Sequence, residues 1–145
     1  MSLEYEYNTR RFAEMVAAAN SYMVKYMDEL SSALNHQAKL QTKLDALMSE
    51  YQPLKEADNK FRDEYDQGIK ANNPYVYDNA ELNISNVMTK MEPYLREIVL
   101  TKSQIRANDE KVSLYQRYVS QSELKVIQAK QNEINFHAAN PAPVS

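Results

Sequence analysis

Apolar residues recur on a seven-residue repeat in two long stretches of the chain, and one proline-containing segment separates these stretches. In the first stretch, one set of equivalent positions (the first column) reads Val16, Met23, Leu30, Gln37, Leu44 and Tyr51. The second column reads Phe12, Ala19, Tyr26, Ala33, Leu40, Leu47, Leu54 and Phe61. In the second stretch the first column reads Ile84, Met91, Ile98, Ile105, Val112, Val119 and Val126. Apolar residues spaced alternately three and four apart lie on one stripe of a helix and predict a coiled coil.

The first predicted helix covers about residues 9–71. It begins near Asn8 or Thr9, because the side-chain oxygen of either residue can cap a helix. Pro53 lies inside this helix but off both columns, and it predicts a kink because an interior proline removes one backbone hydrogen bond. Turn-forming residues over 72–78 end the helix.

The second predicted helix covers about residues 79–138. Asp78 is its expected N-cap, and Glu81 follows three places later to complete a capping box. Pro93 lies in the interior of this helix. Residues 139–145 contain two prolines and are predicted to be a flexible tail.

These elements predict an all-α fold in one domain over residues 1–145: an elongated antiparallel coiled-coil helical hairpin. In the alternative architecture, the chain breaks at the two prolines and folds back into a compact four-helix bundle. The second column of the second helix looks weak, because Thr101, Asn108 and Ser122 interrupt it. Both helices also carry apolar residues outside their columns, which a lone hairpin leaves exposed. The sequence therefore predicts that the hairpin enters a helical bundle, by oligomerisation or with a protein partner.

The candidate interaction residues are the apolar positions outside the columns of the second helix and two tyrosines near the turn. They are Leu100, Leu114, Tyr118, Leu124, Ile127, Ile134, Tyr75 and Tyr77. Exposed aromatic residues on a loop often anchor protein contacts, although these two tyrosines could equally pack back onto the hairpin. Gln37 and Asn108 are candidates for fixing register, since a buried amide in a heptad column favours one alignment. Local exposure of the column is the alternative.

The amino-acid composition argues against a catalytic or metal-binding site. The chain has one glycine, two histidines and no cysteine, and its adjacent carboxylates lie beside lysine or arginine on polar helix faces. We therefore predict no catalytic residues, no metal and no cofactor or small-molecule substrate. Nucleic-acid binding is not expected, because the net charge is -3 and no cluster of basic residues could neutralise phosphates.

Location and function follow from the same features. The apolar runs are too short to insert into a membrane and the N-terminus does not resemble a secretory signal, so a cytoplasmic or assembly-bound protein is expected. We predict a non-enzymatic coiled-coil structural, scaffold or adaptor subunit that mediates assembly of a larger complex. The alternatives are a chaperone or stalk protein of a secretion system, which would bind helical segments of exported subunits, and a phage or virion assembly protein.

Overall fold

Two long helices account for nearly all of residues 2–141, the part of the chain that the computed structural model describes. Helix α1 spans Leu3–Lys70 and helix α2 spans Pro74–Ala139. They pack against each other as an antiparallel hairpin, which confirms the predicted all-α hairpin. Both helices continue without a break through Pro53 and Pro93, so the four-helix alternative does not form.

The hairpin divides into two compact units. The terminal unit combines Met1–Asn35 with Asn108–Ser145, and the turn unit consists of His36–Ala107. Helix α2 ends at Ala139, where the backbone and side-chain amides of Asn140 both donate to the Phe136 carbonyl. Of the predicted flexible tail, residues 142–145 lie outside the described residues.

Helix α1 begins earlier than the sequence predicts. Its N-cap is Ser2, whose Oγ accepts a hydrogen bond of 3.1 Å from the Tyr5 amide. Glu4 lies in the first turn, where its charge interacts favourably with the helix dipole. Thr9 is inside the helix and donates its hydroxyl to the Tyr5 carbonyl at 2.8 Å. The predicted start near Asn8 or Thr9 is therefore wrong, because a better cap lies upstream.

The turn is shorter than predicted. Asn72 adopts a left-handed conformation with φ of 50°. The amide of Asn73 bonds the Gly68 carbonyl at 2.9 Å, and the amide of Asn72 bonds the Ile69 carbonyl at 3.1 Å. This pair of hydrogen bonds is a Schellman motif. Pro74 then occupies the first position of α2, where its missing amide hydrogen costs nothing.

The early start of α2 changes the role of several predicted turn residues. Asp78 and Glu81 lie inside the helix, so the predicted capping box is wrong. The carbonyl of Asn73 accepts hydrogen bonds from the amides of Val76 and Tyr77, as the first turn of a helix requires.

Gly68 is buried where the end of α1 meets the start of α2. A Cβ atom at this position would lie 2.9 Å from the Tyr77 backbone nitrogen and 3.1 Å from the Tyr77 Cβ. Both of these atoms belong to a helix and cannot move without shifting the backbone. The only glycine of the chain therefore permits the close approach of the two helices at the turn.

The least exposed residues of both helices follow the two predicted columns. The second column of α2 is not weak: Thr101 is 0% exposed, and Asn108 and Ser122 are also buried. Small side chains fit here because the helices lie close together. In the terminal unit, Asn108 Nδ2 reaches the backbone carbonyl of Ala33 at 2.9 Å.

Replacing the glycine tests the close approach at the turn. Gly68→Ala should lower the free energy of unfolding by about 1–3 kcal/mol, because the new methyl group overlaps backbone atoms. The same substitution in an unconstrained helix raises stability by roughly 0.5–1 kcal/mol, so the sign of the change is diagnostic. Chemical denaturation measures it. Asn72→Gly is the control and should be neutral or stabilising, since its φ is positive. A stabilised Gly68→Ala variant would contradict this packing.

Thr101 offers a second test. Its Oγ1 is buried and has no hydrogen-bond partner among the described residues. Thr101→Val keeps the branched shape and should raise the free energy of unfolding by about 1 kcal/mol, because it removes an unsatisfied hydroxyl. Thr89→Val is the matched control: that hydroxyl is exposed and donates to the Ser85 carbonyl, so a change within about 0.5 kcal/mol is expected. Loss of stability in Thr101→Val would show that a buried partner satisfies the hydroxyl.

Candidate functional site

The described residues, 2–141, contain no group of three or more histidine, aspartate or glutamate side chains placed to hold a metal ion. Within the same range, neither helix has a segment that is long and apolar enough to cross a membrane. The candidate functional surfaces of the described residues are apolar faces and grooves on the two helices.

The first candidates are exposed apolar residues of α2, which we call the outer ridge: Leu100 in the turn unit, and Leu124, Ile127 and Ile134 in the terminal unit. These side chains are between 49% and 67% exposed. Leu114 and Tyr118 were predicted to belong to the same set, but both are half-buried. Tyr118 turns toward α1, where its ring lies 5.1 Å from that of Tyr26 between centroids. Four of the six predicted helix positions are therefore exposed, and their role in binding a partner stays a prediction.

The two candidate tyrosines near the turn behave differently from each other. Both lie in the first turn of α2 rather than in a loop. Tyr75 is 85% exposed, whereas Tyr77 is half-buried and its ring meets that of Tyr65 edge-on at 6.3 Å. Tyr77 therefore closes the hairpin, and only Tyr75 is available as an anchor for a partner.

The two candidate register residues lie in the columns. Asn108 is buried, and its hydrogen bond to the Ala33 carbonyl joins the two helices within the terminal unit. That bond fits a role in fixing register, because sliding one helix would leave a buried amide unpaired. Gln37 is half-buried in the turn unit. The register role itself stays a prediction.

A pocket of about 320 Å³ opens between the helices of the terminal unit. Ala19 and Ser122 form its small-residue floor, and Tyr22, Tyr26 and Tyr118 form aromatic walls. The Ser122 hydroxyl is already used, because it donates to the Tyr118 carbonyl at 2.6 Å. The pocket is large enough for one side chain of a partner and has the aromatic lining typical of protein contacts.

A larger groove, of about 680 Å³, lies in the turn unit. Its apolar lining comes from one face of α2, namely Ile84, Met88, Met91 and Leu95. Its charged lining comes from both helices, namely Asp58, Arg62, Glu81 and Glu92. We call this the acidic groove.

Asp58 is the residue of this groove that the sequence did not reveal as part of the core. It is 8% exposed and pairs with Arg62 one turn later, with 2.9 Å between Oδ2 and Nε. The missed signal was spacing: Asp58 follows Tyr51 by seven residues and therefore continues the first column. The first column was read only as far as Tyr51, because the next position in the repeat is a charged residue, Asp58. Its ion pair with Arg62 allows Asp58 to be buried.

Tyr94 links the helices within the turn unit. Its phenol lies within electrostatic reach of the Glu50 carboxylate. The negative charge of Glu50 raises the pKa of Tyr94 above its ordinary value, and hydrogen bonding to this carboxylate and partial burial act in the same direction. Loss of the phenol proton places two negative charges side by side and weakens this contact.

Comparison with known proteins finds no protein family, no curated protein and no solved structure that matches this chain. Function must therefore be argued from the surfaces themselves.

The raised pKa of Tyr94 predicts a pH dependence. A group whose pKa is higher in the folded state stabilises the fold below its unfolded pKa, about 10 for tyrosine, and this contribution is lost as pH rises further. Wild type should be more stable than Tyr94→Phe at neutral pH, and the difference should shrink above about pH 10. Denaturation of both proteins across this range measures it. A difference that stays constant with pH would mean that Glu50 is not the partner.

Proposed function

We propose that this chain is a non-enzymatic structural subunit, acting as a scaffold or adaptor that binds protein partners along the outward faces of its helices. The observation that carries the proposal is the outer ridge, whose large apolar side chains Leu124, Ile127 and Ile134 are exposed close together on α2 within the terminal unit. Helix α1 adds Met27, Leu34 and Met48, which are exposed beside its second column. Contiguous exposed apolar positions on a helix mark interaction sites.

The total exposed area supports this proposal. The chain exposes 10606 Å² at a mass of 16.8 kDa. A globular monomer of this mass leaves about 7,700 Å² exposed, so the excess is roughly 2,900 Å². Stable interfaces bury about 1,200–2,000 Å² and obligate ones more, so this excess is enough for an extensive interface.

In this proposal the two columns form an antiparallel coiled-coil seam in an elongated hairpin. The outer ridge then supplies a second seam, through which the hairpin joins a bundle with itself or another protein. Burying a leucine or isoleucine side chain contributes about 1.5–3 kcal/mol. Association also costs translational and rotational freedom, so the exposed apolar residues of α1 have to contribute to the interface as well. A protein of this kind acts in the cytoplasm or inside a macromolecular assembly.

The test compares partner retention by purified, tagged chains expressed in native cells. Wild type should retain a protein partner or further copies of itself. The double variant Leu124→Glu with Ile134→Glu should lose them at unchanged helicity, because both sites are exposed and only the partner buries them. The double variant Gln128→Glu with Asn132→Asp is the matched control, since it adds the same two negative charges to exposed polar sites of the same helix.

The outcomes separate the alternatives. Stoichiometric retention that survives challenge by excess free partner supports a structural subunit, whereas rapid exchange would favour the chaperone role. A wild-type chain that stays monomeric and retains no more than the double variant would show that the ridge is not an interface.

A further inference from the structure

Four methionines within residues 2–141 have exposed side chains: Met15, Met27, Met48 and Met88. Met88 is the most exposed of them, at 51%, whereas Met91 on the same helix is buried. Oxidation of a methionine to its sulfoxide requires that the oxidant reach the sulfur. Met88, in the turn unit, is therefore accessible to a dissolved oxidant such as hydrogen peroxide.

The sulfur of Met88 contacts a cation. Nη2 of Arg62 lies 3.5 Å from this sulfur and donates to it, but a thioether is only a weak acceptor. Arg62 belongs to α1 and Met88 to α2, so the contact joins the two helices within the turn unit. A charged hydrogen-bond donor is therefore already in place beside the atom that an oxidant would modify.

The guanidinium of Arg62 is held in place by a buried carboxylate. Nε of Arg62 donates to Oδ2 of Asp58 at 2.9 Å, and Asp58 is buried. A guanidinium is planar and its N–H groups have a fixed geometry, so the bond at Nε also sets the direction of Nη2. About half of the Arg62 side chain is exposed, which leaves room for its outer end to adjust to a changed neighbour.

Oxidation changes what the sulfur of Met88 offers to Arg62. A lone pair of the sulfur attacks one oxygen of hydrogen peroxide, so that a sulfur–oxygen bond forms and the oxygen–oxygen bond breaks. The proton on the transferred oxygen passes to the departing hydroxide, which leaves as water. The sulfur loses two electrons and the peroxide gains them. The sulfoxide oxygen is polar and accepts hydrogen bonds far better than a thioether. It enters the space between sulfur and guanidinium, so the exposed ends of both side chains move apart to an N–H···O distance of about 2.9 Å.

We propose that Met88 is an oxidation site for peroxides and that Arg62 binds its sulfoxide, so that oxidation strengthens the contact between α1 and α2 in the turn unit. Methionine oxidation ordinarily disrupts a protein, because it puts a polar oxygen among apolar side chains. At Met88 the new oxygen meets water and a charged donor instead. The same side chain lines the acidic groove, so oxidation also makes one wall of that groove polar. The inference is independent of the proposed function.

The test uses hydrogen peroxide on a chain in which leucine replaces the other three exposed methionines, a substitution that folded proteins tolerate well. Oxidation is stopped at one oxygen per chain, and peptide mass spectrometry should locate that oxygen on Met88. Urea denaturation then measures the effect of oxidation with Arg62 and with Arg62→Lys, which keeps the charge beside Asp58 but lacks the fork. Oxidation should not raise the unfolding equilibrium constant with Arg62, but should raise it with lysine. The two effects should differ by about fivefold, the contribution of a half-exposed charge-assisted hydrogen bond.

Met48 is the matched control. It is 40% exposed, lies in the same unit and has no hydrogen bond to another described residue. In a chain that keeps Met48 and carries leucine at the other three exposed positions, oxidation should have the same effect with arginine or lysine at position 62. A second pair of variants checks the contact without an oxidant. Met88→Gln places an amide oxygen beside Arg62, so replacing leucine by glutamine should cost less stability at position 88 than at position 48.

Three results would overturn the proposal. An oxygen located away from Met88 would show that its sulfur is not the accessible one. Equal effects of oxidation with arginine and with lysine at position 62 would show that the guanidinium does not bind the sulfoxide. Glutamine that costs as much at position 88 as at position 48 would show the same, even if Arg62→Lys failed to fold. None of these measurements involves partner retention, so the proposed function is tested separately.

Discussion

The structure depends on the close approach of two antiparallel helices. Gly68 permits this approach at the turn, where any side chain would overlap the backbone of Tyr77. Farther along, the amide of Asn108 bonds a backbone carbonyl of α1, which requires a small residue, Ala33, at that level. Because the helices are close, small polar residues such as Thr101 are as well buried as the aliphatic ones. Close packing thus replaces the bulk that a seam of leucines would supply.

A hairpin of two helices has only one face per helix to bury. Every apolar residue off that face stays in water unless another molecule covers it, and this holds for the outer ridge. Larger domains solve the same problem with a second layer of their own. The described part of the chain has no second layer of this kind, so these apolar faces remain exposed.

The sequence correctly predicted the apolar patterns that depend on a single helix. Spacing alone located both columns, and the exposed ridge followed from residues outside them. The errors arose where a second element decides the outcome. Leu114 is half-buried although it lies outside the columns, and Thr101 is fully buried although it is polar. The acidic groove could not be predicted, since it needs the register of both helices and the pairing of Asp58 with Arg62.

The short turn also fixes an order of events during folding. Contacts beside the turn join residues fewer than ten apart, such as Gly68 and Tyr77, whereas Tyr5 and Phe136 at the open end are about 130 residues apart. Closing a loop costs more entropy as it lengthens, so pairing starts at the turn and each new contact shortens the next loop. The two helices therefore pair first at the turn and then progressively toward the chain termini. Its open end forms last and is the first part to separate when the protein unfolds.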